Sequence, residues 1–118
     1  MDLTKLLLQL QQKPDTLLFS DCIEHIDKNY LFTPSSFTNG NQSNEAGKNN
    51  GSCKIFAFAQ LQKLTPLQAL NCFGEYYRHD VLENPQAEDH QNIRQFMING
   101  WQGIKFDSII TQVTLLSI

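Results

Sequence analysis

A nearly continuous apolar run in the middle of the chain constrains the fold more than any other feature. From Cys53 to Leu61 the sequence CKIFAFAQL puts apolar residues on almost every side of a helix. A helix that is apolar all round is stable only when other elements surround it. The sequence therefore predicts that the helix over 53–61 is central and buried, and that the rest of the chain packs around it.

Four further segments have the spacing of helices with one apolar face. Residues 3–12 repeat leucine at helical intervals, and residues 16–29 gather their apolar side chains on one side. The sequence Thr-Pro-Leu-Gln at 65–68 has the form of an N-cap, a first-turn proline and a capping-box glutamine. It predicts a fourth helix that runs to about Glu83. A fifth is expected over 89–99, and Gly100 would end it.

The remaining segments are polar or β-like. Residues 33–52 are rich in Asn, Ser and Gly, and Asn39-Gly40 within them is typical of a tight turn with positive φ. A small β element is expected around 30–38 and 103–107. The last stretch, SIITQVTLLSI, is compatible with a strand or with a docked helix. The predicted class is α+β, mainly α, with four to five helices around helix 53–61.

Length and charge limit the functions that the chain can have. Its 118 residues suffice for one domain, so residues 1–118 are expected to share a single core. Nine Lys and Arg residues against twelve Asp and Glu give a net charge of −3, and the basic residues are scattered. Binding to nucleic acid through neutralised phosphates is therefore not expected.

Cysteine usage and hydropathy give the expected compartment. Three cysteines, an odd number without a CxxC pair, favour free thiols in a reducing environment. The first fifteen residues include Asp2 and lack the small-residue cleavage site of a secretory signal peptide. No apolar run approaches the roughly 18 residues that a membrane span requires.

Cys53 is the first candidate for chemistry. It lies at the predicted start of the central helix, where the helix dipole favours a thiolate and lowers the cysteine pKa from about 8.5. His79 or His90, which follow in the chain, would serve as the base, and Asp80 or Asn92 would orient it. The alternative is that Cys53 is a small buried residue that begins a core helix.

A metal site is the second candidate. Glu75 and His79 are four residues apart and would share one helical face, while a turn could return His90 to them. Two imidazoles and a carboxylate suit zinc or non-haem iron. The alternative is an ordinary hydrogen-bonded network at the turn between two helices. His25 has no comparable cluster and is expected to be a solvated surface residue.

A polar ligand pocket is the third candidate. Arginine forks and tyrosine hydroxyls bind carboxylates and phosphates well. The Asn-rich loop over 39–50 would cover such a pocket as a lid. The alternative is that the tyrosines belong to the core and the arginines face solvent. The proposed ligand-binding residues are Asn39, Tyr76, Arg78, Asn92 and Arg94, with Tyr77 and His90 beside them.

Three long strings carry a family resemblance. NYLFTPSSFTNG, NNGSCKIFAFAQLQKL and FGEYYRHDVLENPQAEDHQNIRQFM resemble the HopJ type III effector family. The resemblance covers about residues 15–107 and leaves the tail over 108–118 outside it. It implies a small bacterial protein of a family named for plant-pathogen proteins that type III secretion delivers into host cells. It implies no reaction and no catalytic residue.

The expected function combines the residues with the resemblance. The sequence predicts a HopJ-like module that binds a small anionic ligand, or a host or bacterial protein, and it identifies no cofactor. The alternative is a hydrolase that uses Cys53 as nucleophile or a metal at Glu75, His79 and His90. The expected location is the bacterial cytoplasm, with delivery into a host cell by type III secretion implied by the family.

Overall fold

The computed structural model describes all residues 1–118, and helix α3 (Asn50–Leu61) lies at its centre. The prediction of a central buried helix is confirmed, although α3 begins three residues before Cys53. No side chain in the middle of this helix reaches solvent, because α2, α4 and the C-terminal elements pack around it. The fully buried residues there are Ile55, Phe56, Ala57, Phe58 and Ala59.

The other helices enclose α3. The α-helices are α1 (Leu3–Gln12), α2 (Phe19–Asn29), α4 (Pro66–Asn71) and α5 (Gln91–Asn99). Short 3-10 turns span Pro14–Thr16 and Gly100–Gly103, and π-helical segments span Tyr76–Val81 and Ile110–Thr114. The predicted capping box is present, because the side chains of Thr65 and Gln68 each bond the other's backbone amide.

The fourth predicted helix, expected to continue to Glu83, is broken at Gly74. This glycine has a φ of 58°, and a Cβ atom there would lie 2.3 Å from the amide nitrogen of Phe19. The chain therefore leaves the α-helical path after α4 so that its backbone can contact the start of α2. It resumes as the π-helical segment Tyr76–Val81. A periodicity that suited one long helix could not reveal this close approach.

The β element consists of two small antiparallel sheets. Its strands are β1 (Tyr30–Phe32), β2 (Phe37–Asn39), β3 (Gln42–Asn44), β4 (Ile104–Phe106) and β5 (Leu115–Ser117). Strand β2 lies between β3 and β4, and β1 pairs with β5. The predicted turn at Asn39-Gly40 joins β2 to β3, with a φ of 57° at Gly40. The α+β class, mainly α, is confirmed.

The C-terminal tail adopts both of the structures that its sequence allowed. A π-helical segment packs against α3, and β5 then pairs with β1 in register Leu31↔Leu116. Thr114 and Leu115 are almost completely buried. None of the helices has the length and apolar character that crossing a membrane would require.

The prediction for His25 is wrong. Its side chain is buried, and its Nδ1 lies 3.2 Å from the carbonyl oxygen of Met1. The ring meets Phe58 edge-on with centroids 5.5 Å apart. The helical pattern of α2 places His25 on the polar side, but the N-terminus of the chain folds over that side and excludes water from it.

Candidate functional site

Cys53 lies inside the core, and neither candidate base is its hydrogen-bond partner. It is 2% exposed, and its thiol donates to the carbonyl oxygen of Ser35 at 3.5 Å. Burial raises the pKa of Cys53, which is the opposite of the expected lowering at a helix N-terminus. Desolvation outweighs the dipole because Cys53 is the fourth residue of α3 and not its exposed first one. A buried, protonated thiol is a poor nucleophile, so the geometry gives the cysteine-hydrolase alternative no support.

The other two cysteines also have a packing role. Cys22 and Cys72 are fully buried and free. A hydrogen bond between the two thiols, together with burial, raises the pKa of Cys22. All three cysteines therefore fill space in the core.

The three predicted metal ligands are directed to different partners. The Oε1 atom of Glu75 accepts a hydrogen bond from the backbone amide of Phe19 at 3.0 Å. His79 is mostly exposed and pairs with Glu83, which lies four residues further along the chain. His90 pairs through Nε2 with Asp80 at 2.9 Å. No three His, Cys, Asp or Glu side chains lie close enough together to share a metal ion.

Both arginines of the predicted pocket stabilise the chain's own backbone. Arg78 donates to the carbonyl oxygens of Pro14 and Leu17, and so fastens the segment before α2 to the π-helical segment. Arg94 donates to the carboxylate and the carbonyl oxygen of Asp89. The Arg94 guanidinium holds the pKa of Asp89 below its usual value. Neither arginine is free to bind a ligand through these donors.

A cleft of about 460 Å³ contains three of the predicted residues, whereas Tyr77 is buried in the core. Tyr76, His90 and Asn92 line it, and the ring of Tyr76 stacks on His90 with centroids 5.2 Å apart. The polar loop contributes one wall of the cleft and does not close over it as a lid. The complete lining is Phe19, Gln42, residues 48–52, Phe73, Tyr76 and residues 90–93.

Two helix N-termini meet at this cleft. Residues 49–52 begin α3, and residues 90–93 begin α5. In neither helix does a side chain cap the first turn, and neither first turn contains an acidic residue. The first amides of each helix have no partner within it. The cleft therefore has two sets of N–H donors at positive dipole ends.

The residues that would normally cap these helices are engaged elsewhere. Asn49 precedes α3, but its amide group donates to Oδ1 of Asn44 at 2.6 Å. His90 precedes α5 in the left-handed region, with φ 51° and ψ 48°, and its ring is held by Asp80. A non-glycine residue in this region is uncommon and is often found near functional sites.

A network of buried asparagines fixes the two N-termini relative to each other. Asn92 in α5 exchanges hydrogen bonds with Asn44 in β3, and the Oδ1 atom of Asn92 also accepts from Asn39 in β2. Asn44 in turn accepts from Asn49 at the start of α3. Asn39, which was expected to bind ligand, is instead fully buried inside this network, and its Oδ1 atom has no partner.

The side chains that line the cleft carry no negative charge. Lys48 is the only permanently charged side chain in the lining, and no Asp or Glu contributes to it. Sequence reasoning missed Lys48, Gly51 and Ser52 as lining residues, because the loop was expected to lie over the pocket. The Asn50-Gly51-Ser52 sequence at the start of a buried helix was the available signal.

Comparison with known proteins gives the family. The profile of the HopJ type III effector protein family matches residues 3–110, so it extends past both ends of the resemblance seen in the sequence. A crystal structure titled "unknown function protein VPA0580" is similar with a TM-score of 0.94 and 47% identity. That similarity covers 100% of this chain and 95% of the other. No curated protein matches the chain.

The matched region contains the central helix, the cleft and both helix N-termini that form it. The chain belongs to the HopJ type III effector protein family.

Proposed function

We propose that this HopJ-family protein is a binding module for a small anionic ligand, a carboxylate or a phosphate, in the cleft between the N-termini of α3 and α5. The observation that carries the proposal is that two uncapped helix N-termini open onto one cleft with no acidic side chain in its lining. Helix N-termini favour anions because their free amides and their dipoles act in the same direction.

The other side chains of the cleft suit the same class of ligand. Lys48 adds a positive charge at the rim, and Tyr76 and Ser52 add hydroxyl groups. Phe19 and Phe73 supply an apolar wall for the remainder of a ligand larger than phosphate. A cleft of about 460 Å³ lies within the usual range for small-molecule sites.

NMR titration with sodium phosphate and with sodium citrate, against sodium chloride at equal ionic strength, tests the proposal. We expect the backbone amide signals of residues 50–52 and 91–92 to shift with phosphate or citrate and to stay unchanged with chloride. Equal shifts in all three salts, or shifts spread over the whole surface, would contradict it.

A matched pair of variants gives the titration its control. Ser52→Asp places a carboxylate in the first turn of α3, where it would occupy the free amides and repel an anion. Ser20→Asp makes the same change in the first turn of α2, outside the cleft. We expect Ser52→Asp to abolish anion binding and Ser20→Asp to leave it unchanged. Anion binding by Ser52→Asp equal to that of the unsubstituted protein would rule out the α3 N-terminus as the site.

We also propose that the protein is made in the bacterial cytoplasm and delivered into a host cell by type III secretion. It would bind its anionic ligand inside the host cell. The family supports delivery. Fusion to a calmodulin-dependent adenylate cyclase reporter tests it. Cyclic AMP should rise in host cells that meet bacteria with a working type III apparatus, and not with a secretion-deficient strain. No difference between the two strains would contradict delivery.

A further inference from the structure

An apolar groove lies between the π-helical segment and α5. Its floor is Val81, and its rim holds Leu82, Pro85, Met97 and Ile98. Leu82 and Met97 are nearly half exposed, and Ile98 is 74% exposed. The groove has a volume of about 370 Å³ and shares only Gln91 with the anion cleft. It is therefore a separate surface.

The α5 side of the groove is one continuous helical face. Gln91, Arg94, Gln95 and Ile98 line it, at intervals of three and four residues. Such a face is what one helix offers to another helix packed beside it. The β2–β3 turn contacts one residue of this face, because the backbone amide of Asn41 donates to Oε1 of Gln95 at 3.2 Å. The side chain of Ile98 at the other end of the face remains 74% exposed.

The segment that forms and joins the two walls of this groove is acidic, although Arg94 is the only charged residue in the lining itself. Residues 79–98 contain the carboxylates of Asp80, Glu83, Glu88 and Asp89 against the single guanidinium of Arg94, which gives −3. This equals the net charge of the whole chain, so the rest of the chain is neutral. Only Asp89 is paired with a permanent cation, because Asp80 and Glu83 have histidine partners and Glu88 has none.

From this juxtaposition we propose that the groove docks a basic amphipathic helix of a partner protein. Its apolar face would cover Leu82, Met97 and Ile98. Its Lys and Arg residues would face the exposed carboxylates of Glu83 and Glu88, in the turn between the two walls. Helices bind apolar grooves in this way through side chains at helical spacing. Complementary charge would speed association and select basic partners over acidic ones. The same carboxylates disfavour an anionic membrane surface.

The probe is a fluorescent, roughly 14-residue helical peptide of leucine and lysine with the leucines on one face. A peptide of the same composition in scrambled order and one with glutamate in place of lysine are its controls. We expect anisotropy to show binding of the basic amphipathic peptide alone, weakened by added salt. In NMR spectra the affected amides should lie within residues 79–98. Equal binding of the acidic peptide, or shifts centred elsewhere, would overturn the proposal.

Two isoleucines of nearly equal exposure allow a matched comparison. Ile98 is 74% exposed in the groove, and Ile118 is 75% exposed at the C-terminus. Because both side chains face solvent, neither Ile98→Ser nor Ile118→Ser should change the thermal midpoint. Ile98→Ser should weaken peptide binding about tenfold, and Ile118→Ser should have no effect. Equal affinity of Ile98→Ser and the unsubstituted protein would overturn the proposal.

Other occupants of the groove give different results. Sedimentation velocity would detect a dimer that Ile98→Ser abolishes if the groove binds a second copy of this chain. Flotation with neutral phosphatidylcholine vesicles would detect lipid binding that Ile98→Ser abolishes. Either result would replace the proposed basic partner helix.

Discussion

The carboxylate oxygen Oε1 of Glu75 accepts a hydrogen bond from the backbone amide nitrogen of Phe19, at a distance of 3.0 Å. Phe19 is the first residue of α2, so a side chain from a distant part of the sequence caps this helix. The same contact explains why Glu75 does not join His79 and His90. Its oxygen satisfies a helix end, and the two histidines have other partners.

Replacing Glu75 tests this cap. Glu75→Ala removes the acceptor for a half-buried amide and should lower the free energy of unfolding by about 1–2 kcal/mol. Glu75→Gln keeps an acceptor oxygen and should lose less than half as much. Urea unfolding at pH 7, with and without a chelator, measures both. Equal losses in the two variants, or a loss that depends on the chelator, would favour a charge or metal role over a cap.

Gly74 should be the least replaceable glycine. Gly74→Ala combines a positive φ with a Cβ that would lie 2.3 Å from the backbone nitrogen of Phe19. The substitution should lower the free energy of unfolding by about 3 kcal/mol or more. Gly47→Ala is the matched control, because Gly47 also has positive φ but nothing lies within 4 Å of its Cβ position. It should cost only about 1 kcal/mol. Thermal unfolding of both variants measures the difference. Similar losses would mean that backbone strain, and not the contact with α2, determines both.

Replacing Asn92, at the centre of the buried asparagine network, should destabilise the protein. Asn92→Ala removes the Oδ1 atom that the side-chain amides of Asn39 and Asn44 both bond, and leaves them only the backbone carbonyls of residue 92 and of Gln42. The substitution should lower the free energy of unfolding by about 1–3 kcal/mol. Asn99→Ala, an exposed change on the same helix, should cost less than about 1 kcal/mol. Urea unfolding compares the two variants. A loss for Asn92→Ala no larger than that for Asn99→Ala would mean that water replaces the missing side chain.

The thiol of Cys53 should be protected in the folded protein. Burial raises its pKa, so the thiolate fraction below pH 9 is small, and the side chain is 2% exposed. Alkylation by iodoacetamide, followed residue by residue with mass spectrometry, should be slow from pH 7 to 9 and fast after unfolding in urea. Rapid modification of the folded protein with a midpoint below the ordinary cysteine pKa of about 8.5 would restore Cys53 as a candidate nucleophile.

The features that could be predicted from the sequence are those that depend on neighbouring residues. The apolar run from Ile55 to Ala59 predicted the central helix, and Thr65 and Gln68 predicted a capping box that is present. The turn at Asn39-Gly40 was also predicted correctly. Each of these structures is determined by side chains within about one or two turns of each other, so the local pattern contained the necessary information.

The positions where distant segments meet could not be predicted in the same way. His25 was expected at the surface, but the N-terminus covers it. For Cys53 a reactive and a buried position were both open, and the contact with the Ser35 segment leaves it buried. Of the expected ligand-binding residues, Tyr76 and Asn92 line the cleft, while Arg78 and Arg94 bind the backbone of other segments. No local pattern states which carbonyl group an arginine will reach.

The sequence by itself determined the helices, the central buried segment, the mainly α class with its small β element, and the family. Only the tertiary structure decided that the N-termini of α3 and α5 open onto one cleft, and that Gly74 turns the chain against α2. The physical reason is the separation along the chain between the residues that interact. Helix formation and capping depend on a few adjacent residues, whereas the cleft depends on how residues about forty positions apart along the chain pack around α3.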